Sequence, residues 1–255
     1  MTNSLDTSNE IASTDGEHSL LADGVTREFG SVTVIDDLSL QLECGTLHAL
    51  IGPNGSGKTT LLRLLGNILQ PTSGSISYKV DEHRRLVGYL PQRPEFRPSF
   101  TVRETLEFYA ALVDDDAGQL LSKVGLEDAA DRRVDELSGG MSRLLGVAQA
   151  IAGNPPIVLL DEPGSGLDPQ MRKTTINVAK SLAEDGTTVL YSTHDLELTA
   201  QLADTVSIID SGSLVATAPP VELIEQHDGG SLRHVFEATV SGSSDSITVI
   251  GETES

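Results

Sequence analysis

Several residue types are scarce in this chain, and each shortage excludes a class of protein. The 255 residues include a single cysteine, Cys44, so no disulfide can form within the chain, and a reducing cytoplasm is favoured. No apolar run approaches the roughly 18 residues that a membrane-spanning helix requires. The polar, acidic start from Met1 to Glu17 lacks the basic beginning and apolar centre of a signal peptide. We therefore expect a cytoplasmic chain that does not cross a membrane itself.

Basic residues are also scarce. Lysine and arginine together number 17 against 38 acidic residues, which gives a formal net charge of −21. So negative a surface repels nucleic-acid phosphates and anionic lipid headgroups, and we expect direct binding to neither. Salt screens such self-repulsion over a few ångströms, so the charge favours a salt-rich cytoplasm, as in a halophile. The alternative is an ordinary acidic protein whose acidic tails exaggerate the imbalance.

The most informative stretch is a glycine-rich turn between an apolar strand and a helix. Its residues match the phosphate-binding pattern G-x-x-x-x-G-K-[ST] at every fixed position. Glycines let backbone N–H groups turn inward around an anion, and a helix N-terminus adds positive potential. Lys58 would place its charge on the outer phosphates, and the Thr59 hydroxyl is an oxygen ligand suited to Mg²⁺. An accidental glycine turn is the alternative to a nucleotide site formed by Gly52, Pro53, Asn54, Gly55, Ser56, Gly57, Lys58, Thr59 and Thr60.

A second polar cluster follows the apolar strand Ile157–Leu160. Asp161 stands where α/β proteins bind ligands, at the carboxyl end of a buried strand, and is placed to hold Mg²⁺. Glu162 is then a candidate general base for an attacking water. His194 ends another apolar strand and could donate a hydrogen bond to a phosphate. The alternative for both groups is structural, because strand ends are often polar.

A third motif, Leu137-Ser138-Gly139-Gly140-Met141, stands at the start of a predicted helix. A hydroxyl and two glycines at a helix start form a second anion site. The chain's own phosphate loop already supplies one such site. The second site would therefore contact the terminal phosphate of a nucleotide held by another copy of the chain.

Together these motifs resemble the ATP-binding subunit of ABC transporters over residues 19 to 226. The resemblance implies that Gly52 to Thr59 is the Walker A loop, that Ile157 to Asp161 is the Walker B strand and that Glu162 is the catalytic base. It implies that Gln92 senses Mg²⁺ and water, and that Asp168 belongs to the D-loop and His194 to the switch. It also implies that the ring of Phe29 stacks on adenine, unless Phe29 is a core residue.

The resemblance further implies an architecture and partners. It implies an α/β fold in which a P-loop NTPase core carries an N-terminal antiparallel β-subdomain and an inserted helical subdomain at about 97–153. Outside the resemblance, the polar composition predicts a disordered tail at residues 1–18 and a partly disordered extension at 227–255. Two copies would clamp two ATP·Mg²⁺ head to tail, with Ser138-Gly139-Gly140 acting on the partner's nucleotide. A separate permease would dock near Gln92 and the helical subdomain, which would hold the protein on the inner face of the membrane.

The sequence departs from the family pattern at several positions. The third motif ends in Met141 where glutamine is commonest, and Gly164 replaces a frequent threonine or serine. None of these changes removes a catalytic group. The Met141 ending resembles the ATPases that serve ABC-2-type permeases, which are usually exporters.

Two other functions remain open at this point. A soluble ABC-type ATPase in an assembly process would carry the same motifs without moving a substrate. A P-loop kinase or GTPase would leave Ser138-Gly139-Gly140 and His194 unexplained, and the sequence lacks the Asn-Lys-x-Asp motif that reads guanine.

The charge predicts how stability depends on salt. Raising KCl from dilute buffer to molar concentration should raise the thermal midpoint of unfolding, because screening weakens repulsion among the acidic groups. Circular dichroism during heating measures this midpoint. Full stability in dilute buffer would contradict the halophile hypothesis.

Overall fold

The computed structural model describes residues 18–80, 85–227 and 230–243. The strands are β1 (His18–Phe29), β2 (Val32–Glu43), β3 (Leu47–Ile51), β4 (Ser73–Tyr78), β5 (Val87–Leu90), β6 (Ile157–Leu160), β7 (Thr188–Thr193), β8 (Thr205–Asp210) and β9 (Ser213–Ala218). The helices are α1 (Lys58–Leu65), α2 (Val102–Val113), α3 (Ala117–Val124), α4 (Gly139–Ile151), α5 (Pro169–Glu184), α6 (Leu196–Leu202), α7 (Pro220–Gln226) and α8 (Leu232–Ser243). No helix in these ranges combines the length and apolar character needed to cross a bilayer.

The larger sheet has the strand order β5-β6-β7-β3-β8-β9. Its first five strands run parallel, and β9 pairs antiparallel with β8. Every residue of β3 and β6 is buried, as expected for central strands of a parallel sheet covered on both faces, and their sequences are apolar except for His48 in β3. The carboxyl ends of β3, β6 and β7 therefore meet at one edge of the sheet, as the sequence predicted for the acidic pair.

The smaller sheet is antiparallel, with the order β2-β1-β4. Along β2 the buried side chains of Leu38, Leu40 and Leu42 alternate with exposed Ser39 and Gln41. This alternation is the period-two pattern of a strand with one face on the core. The predicted N-terminal antiparallel subdomain is confirmed.

Helices α2, α3 and α4 form the predicted insertion. The Thr101 hydroxyl accepts a hydrogen bond from the Glu104 N–H at 3.1 Å, and the Glu104 carboxylate accepts one from the Thr101 N–H at 2.8 Å. This reciprocal pair satisfies two N–H groups that a helix start leaves without partners. Asp114, at φ 61°, ends α2, and Asp116 caps α3 by accepting from Gln119 N–H. Local chemistry thus fixes both helix boundaries.

Local chemistry ends α1, and core packing holds α8. Helix α1 ends at Leu65, because Gly66 caps it and Asn67 adopts φ 54°. Helix α8 lies within the region 227–255, for which partial disorder stays a prediction. Leu232 and Val235 of α8 are buried in the main core. Residues 1–17 and 244–255 lie outside the described residues.

One imidazole is buried behind the phosphate loop. His48 on β3 is 2% exposed, and its Nε2 lies 2.8 Å from the Ser207 hydroxyl of β8. Ser207 in turn lies 2.7 Å from the Thr217 hydroxyl of β9. Burial lowers the pKa of His48 from 6.5 to about 4, because desolvation disfavours the charged ring. His48 is therefore neutral in the folded protein above that pH.

This burial predicts a loss of stability in mild acid. Between pH 6.5 and 4 the unfolded chain binds a proton at His48 that the folded chain does not, so the free energy of unfolding falls as pH falls. The pKa difference corresponds to about 3 kcal/mol across this window. His48→Gln should flatten this part of the curve, measured by urea unfolding at several pH values. Equal slopes for the two proteins would show that His48 does not carry the effect.

Candidate active site

The predicted phosphate loop lies between β3 and α1. Gly57 has φ 104° and Gly55 φ 82°, a backbone region that favours glycine. At Gly52 an added Cβ would lie 2.3 Å from the Ile209 carbonyl oxygen, so the loop passes too close to β8 for a side chain. The glycines thus let the loop curve into the start of α1, where helix N–H groups can bind an anion.

Lys58 folds back into this loop. Its Nζ donates hydrogen bonds to the carbonyl oxygens of Gly52 at 2.8 Å and Pro53 at 2.9 Å. An ammonium group has three donors, so one remains for a phosphate oxygen. Burial lowers the pKa of Lys58, although the nearby carboxylates of Glu162 and Asp161 oppose that shift. The ammonium is therefore held between the loop and the acidic pair.

Asp161 lies beside the start of α1, at the carboxyl end of β6. Its Oδ1 accepts hydrogen bonds from the hydroxyls of Thr59 at 3.2 Å and Ser192 at 2.9 Å. The other oxygen, Oδ2, is buried and has no hydrogen-bond partner among the described residues. A buried carboxylate oxygen without a partner is costly unless a ligand satisfies it. Together with the Thr59 hydroxyl, it supplies the hard oxygen donors that Mg²⁺ prefers.

Glu162 is held in a strained and well-defined position. Its φ of 48° is unusual for a residue other than glycine, and its N–H donates to the Ser192 hydroxyl at 2.8 Å. Gln92 Nε2 donates to Glu162 Oε2 at 2.9 Å, and His194 Nε2 lies 2.7 Å from Oε1. The structure therefore brings together three residues that lie far apart in the sequence.

The charge state of Glu162 follows from these contacts. Burial raises the pKa of the carboxyl, but the hydrogen bonds from Gln92 and His194 and the charge of Lys58 outweigh it, so the net pKa is lowered. Glu162 is consequently ionised at neutral pH. Because a carboxylate has only acceptors, the proton between the two side chains belongs to His194 Nε2.

A cavity of about 200 Å³ opens in front of this group. It is large enough for several waters or a phosphate group. The residues that line it come mainly from the loops that follow β6 and β7, and they include Glu162 and His194. The lining residues are Glu162, Gly164, Ser165, Gly166, Arg172, Thr193, His194 and Asp195.

Four predicted binding residues lie apart from this cluster. Ser138 caps α4, because its hydroxyl accepts from the Met141 N–H at 3.2 Å. No hydrogen bond among the described residues joins Ser138, Gly139 or Gly140 to the phosphate loop. Asp168 caps α5 by accepting from the N–H groups of Gln170 and Met171. Their binding roles stay predictions that a second copy of the chain would have to satisfy.

Phe29 is not a core residue. Its ring is 45% exposed at the end of β1, and the Arg27 guanidinium carbon lies 4.5 Å from the ring centroid. The guanidinium thus lies over one face of the ring as a cation–π contact. Stacking of adenine on Phe29 remains a prediction.

Sequence reasoning gave no role to Ser192, Arg143 or Arg172. The Ser192 hydroxyl contacts both acidic residues, and a polar residue at the end of an apolar strand was the signal for it. Arg143, only 8% exposed, donates to the Pro91 carbonyl at 3.2 Å, next to Gln92. No local pattern marked the two arginines, because their partners are distant in sequence.

Fold and site together define a P-loop nucleoside triphosphatase. A glycine loop, a lysine and a threonine face an acidic pair across the carboxyl edge of a parallel sheet. Among solved structures, the ATP-binding subunit of an ABC transporter superposes with a TM-score of 0.75 at 24% identity, covering 87% of this chain and 99% of that one. The dimeric post-hydrolysis ATP-binding cassette MJ0796, bound to ADP and Pi, gives 0.68 at 25% identity, covering 78% and 98%.

Sequence comparisons identify the family. The family model described as ABC transporter matches residues 35–165. The Nod factor export ATP-binding protein I of Cupriavidus metallidurans is 35% identical over 242 residues, covering 89% of this chain and 80% of that protein. The protein of the same name from Burkholderia thailandensis is 37% identical over 226 residues, covering 83% and 74%. The chain belongs to the ABC transporter family, as an ATP-binding subunit that hydrolyses ATP, which confirms the resemblance drawn from the motifs.

Proposed function

We propose that this chain powers export through a separate membrane permease. The observation that carries the enzymatic part is Glu162, ionised and fixed between Gln92 and His194 at the mouth of a cavity. The export direction is supported by the relatives named for Nod factor export and by the Met141 ending of the third motif. The cargo named for those relatives is theirs, and no cargo is assigned to this chain.

Each residue of the site has a role in this proposal. Lys58 and the loop N–H groups bind the outer phosphates of ATP. Glu162, as an ionised carboxylate, takes a proton from the attacking water, while His194 orients the carboxylate and donates towards the phosphate. Thr59, Asp161 and Gln92 would hold Mg²⁺, and the partnerless Asp161 Oδ2 fits that assignment. When bound, the cation neutralises charge that develops on the phosphate oxygens.

A second copy completes the site in this proposal. Ser138, Gly139 and Gly140 stand at the start of α4 and have no hydrogen bond to their own phosphate loop. In a head-to-tail dimer they would contact the terminal phosphate held by the partner, and Asp168 would lie at the same interface. The dimeric cassette among the similar structures supports such an assembly.

An aromatic surface supports docking to a permease. Phe108 is 50% exposed and Leu112 68% exposed on α2, close to the segment that follows Gln92. A small cavity there is lined by Phe96, Arg97, Phe100, Thr105, Phe108 and Tyr109. Exposed apolar clusters of this kind mark interaction sites.

The partner we propose is a short amphipathic helix from a cytoplasmic loop of the permease. Such loops carry excess lysine and arginine, which complements the charge of −21. The protein would then lie on the inner face of the membrane.

The role of Glu162 is tested by Glu162→Gln. The amide keeps the shape of the side chain but cannot accept a proton, so hydrolysis should fall by about 100-fold or more while ATP binding persists. Phosphate release measures hydrolysis, and gel filtration with ATP should show a trapped dimer. The matched control is Glu184→Gln at the exposed end of α5, which should hydrolyse normally. A normal rate in Glu162→Gln would show that Glu162 is not the base.

Docking is tested by recovering partners from solubilised membranes. The tagged wild-type chain should recover a multi-span membrane protein, and Phe108→Asp should lose it, because a charge would be buried in the apolar contact. The control is Val221→Asp, which changes a more exposed apolar residue on α7, 64% against 50% for Phe108, and should retain the partner. Recovery of soluble partners alone would favour the alternative, an ABC-type ATPase in an assembly process.

A further inference from the structure

Arg172 connects two loops that border the catalytic cavity. It lies in the first turns of α5, and its Nη1 is 2.8 Å from Asp195 Oδ2, the residue after His194. Its Nη2 donates to the Leu167 carbonyl at 3.2 Å, the residue before Asp168. One planar guanidinium thus joins the switch segment to the D-loop segment, using donors that point in fixed directions.

The room for this side chain comes from Gly164. A Cβ added to Gly164 would lie 2.6 Å from Arg172 Cγ and 3.3 Å from Cδ. The Arg172 stem therefore occupies the space that a threonine or serine would need. Arg172 can follow its observed path because position 164 has no side chain.

Asp195 is a rigid acceptor for Arg172. Its Oδ1 accepts from the Leu198 N–H at 3.0 Å and so caps α6, and its N–H donates to the Thr193 hydroxyl at 3.0 Å. Burial raises the pKa of Asp195, but the hydrogen bonds from Arg172 and the helix N–H outweigh it, so the pKa is lowered and the group stays ionised. Because Asp195 directly follows His194 in the chain, fixing Asp195 restricts the position of His194, which contacts Glu162.

We propose that Arg172, in the space left by Gly164, is a positioning residue that sets the distance between His194 and Glu162 and ties it to the Leu167–Asp168 segment. The inference rests on the proposed role of Glu162. Among the described residues the hydrogen bonds of Arg172 go to Asp195 and Leu167 and none goes to the phosphate loop, so Arg172 controls turnover and leaves ATP affinity unchanged. At 35% and 23% side-chain exposure the ion pair adds little to stability, so its loss alters geometry more than folding.

A double-mutant cycle on the full-length protein tests the proposal. Arg172→Gln and Gly164→Thr should each lower kcat about tenfold, because a misplaced catalytic group costs rate steeply, with KM for ATP unchanged. Since both changes break the same arrangement, the double variant should lose no more than either single variant. The control is Lys180→Met, which breaks a second ion pair of α5, 2.6 Å to Asp204, about two turns away. That variant should keep wild-type kcat.

Three outcomes would overturn the positioning role: a wild-type kcat in Arg172→Gln, losses that add in the double variant, or a fall in kcat matched by a large drop in thermal midpoint.

A readout without turnover separates this inference from the proposed function. In Arg172→Gln the His194 ring resonances should shift in NMR spectra, whereas in Lys180→Met they should not. If they shift but Glu162→Gln hydrolyses normally, the proposed base is wrong and the positioning contact stands. Unshifted resonances would refute the contact itself.

Discussion

The Ser192 hydroxyl holds the site together. It donates to Asp161 Oδ1 and accepts from the Glu162 N–H, so one side chain of β7 fixes both acidic residues that follow β6. This contact exists only because β6 and β7 pair in parallel with Leu160 opposite Tyr191. β3 pairs with the other side of β7, Ile51 opposite Thr193, which brings the phosphate loop to the same edge. A shift of one residue in the β6–β7 pairing would turn Ser192 away from the acidic pair, and the same shift in the β3–β7 pairing would displace the phosphate loop from it.

The contacts that the sequence could predict are those made within one short segment. The phosphate loop, the Thr101–Glu104 capping box and α5 with Pro169 at its first position all depend on neighbours along the chain. The ion pair between Arg172 and Asp195, by contrast, depends on the register of the sheet and on how α5 packs, which no local pattern contains. Helix α8 is a different case. Ser231 followed by apolar residues at 232, 235, 236 and 240 was a readable helix signal in a stretch dominated by glycine and serine.

Helix α4, which begins with the third motif, packs tightly against β5, the strand that leads to Gln92. An added Cβ on Gly146 of α4 would lie 2.5 Å from Leu90 Cδ1, and one on Gly88 would lie 2.0 Å from the Ala150 carbonyl oxygen. These close approaches let α4 lie directly on β5, and Arg143 adds its hydrogen bond to the Pro91 carbonyl. Packed interiors resist compression, so the position of Ser138–Gly140 at the start of α4 is tied to that of Gln92, which donates to Glu162. If the proposed dimer forms, this helix would couple the partner's nucleotide to Glu162.

Electrostatics explains why an acidic protein can still bind a highly charged nucleotide. Lys58 and Arg143 are the lysine and arginine side chains buried among the described residues, and both face the acidic pair. Two buried cations against Asp161 and Glu162 leave the site close to neutral inside a chain of charge −21. A near-neutral site does not add to the repulsion that the acidic surface exerts on a nucleotide, and salt screens that surface. Short-range contacts from Lys58 and the glycine loop, which packs closely against β8, are then the favourable interactions available to the phosphates.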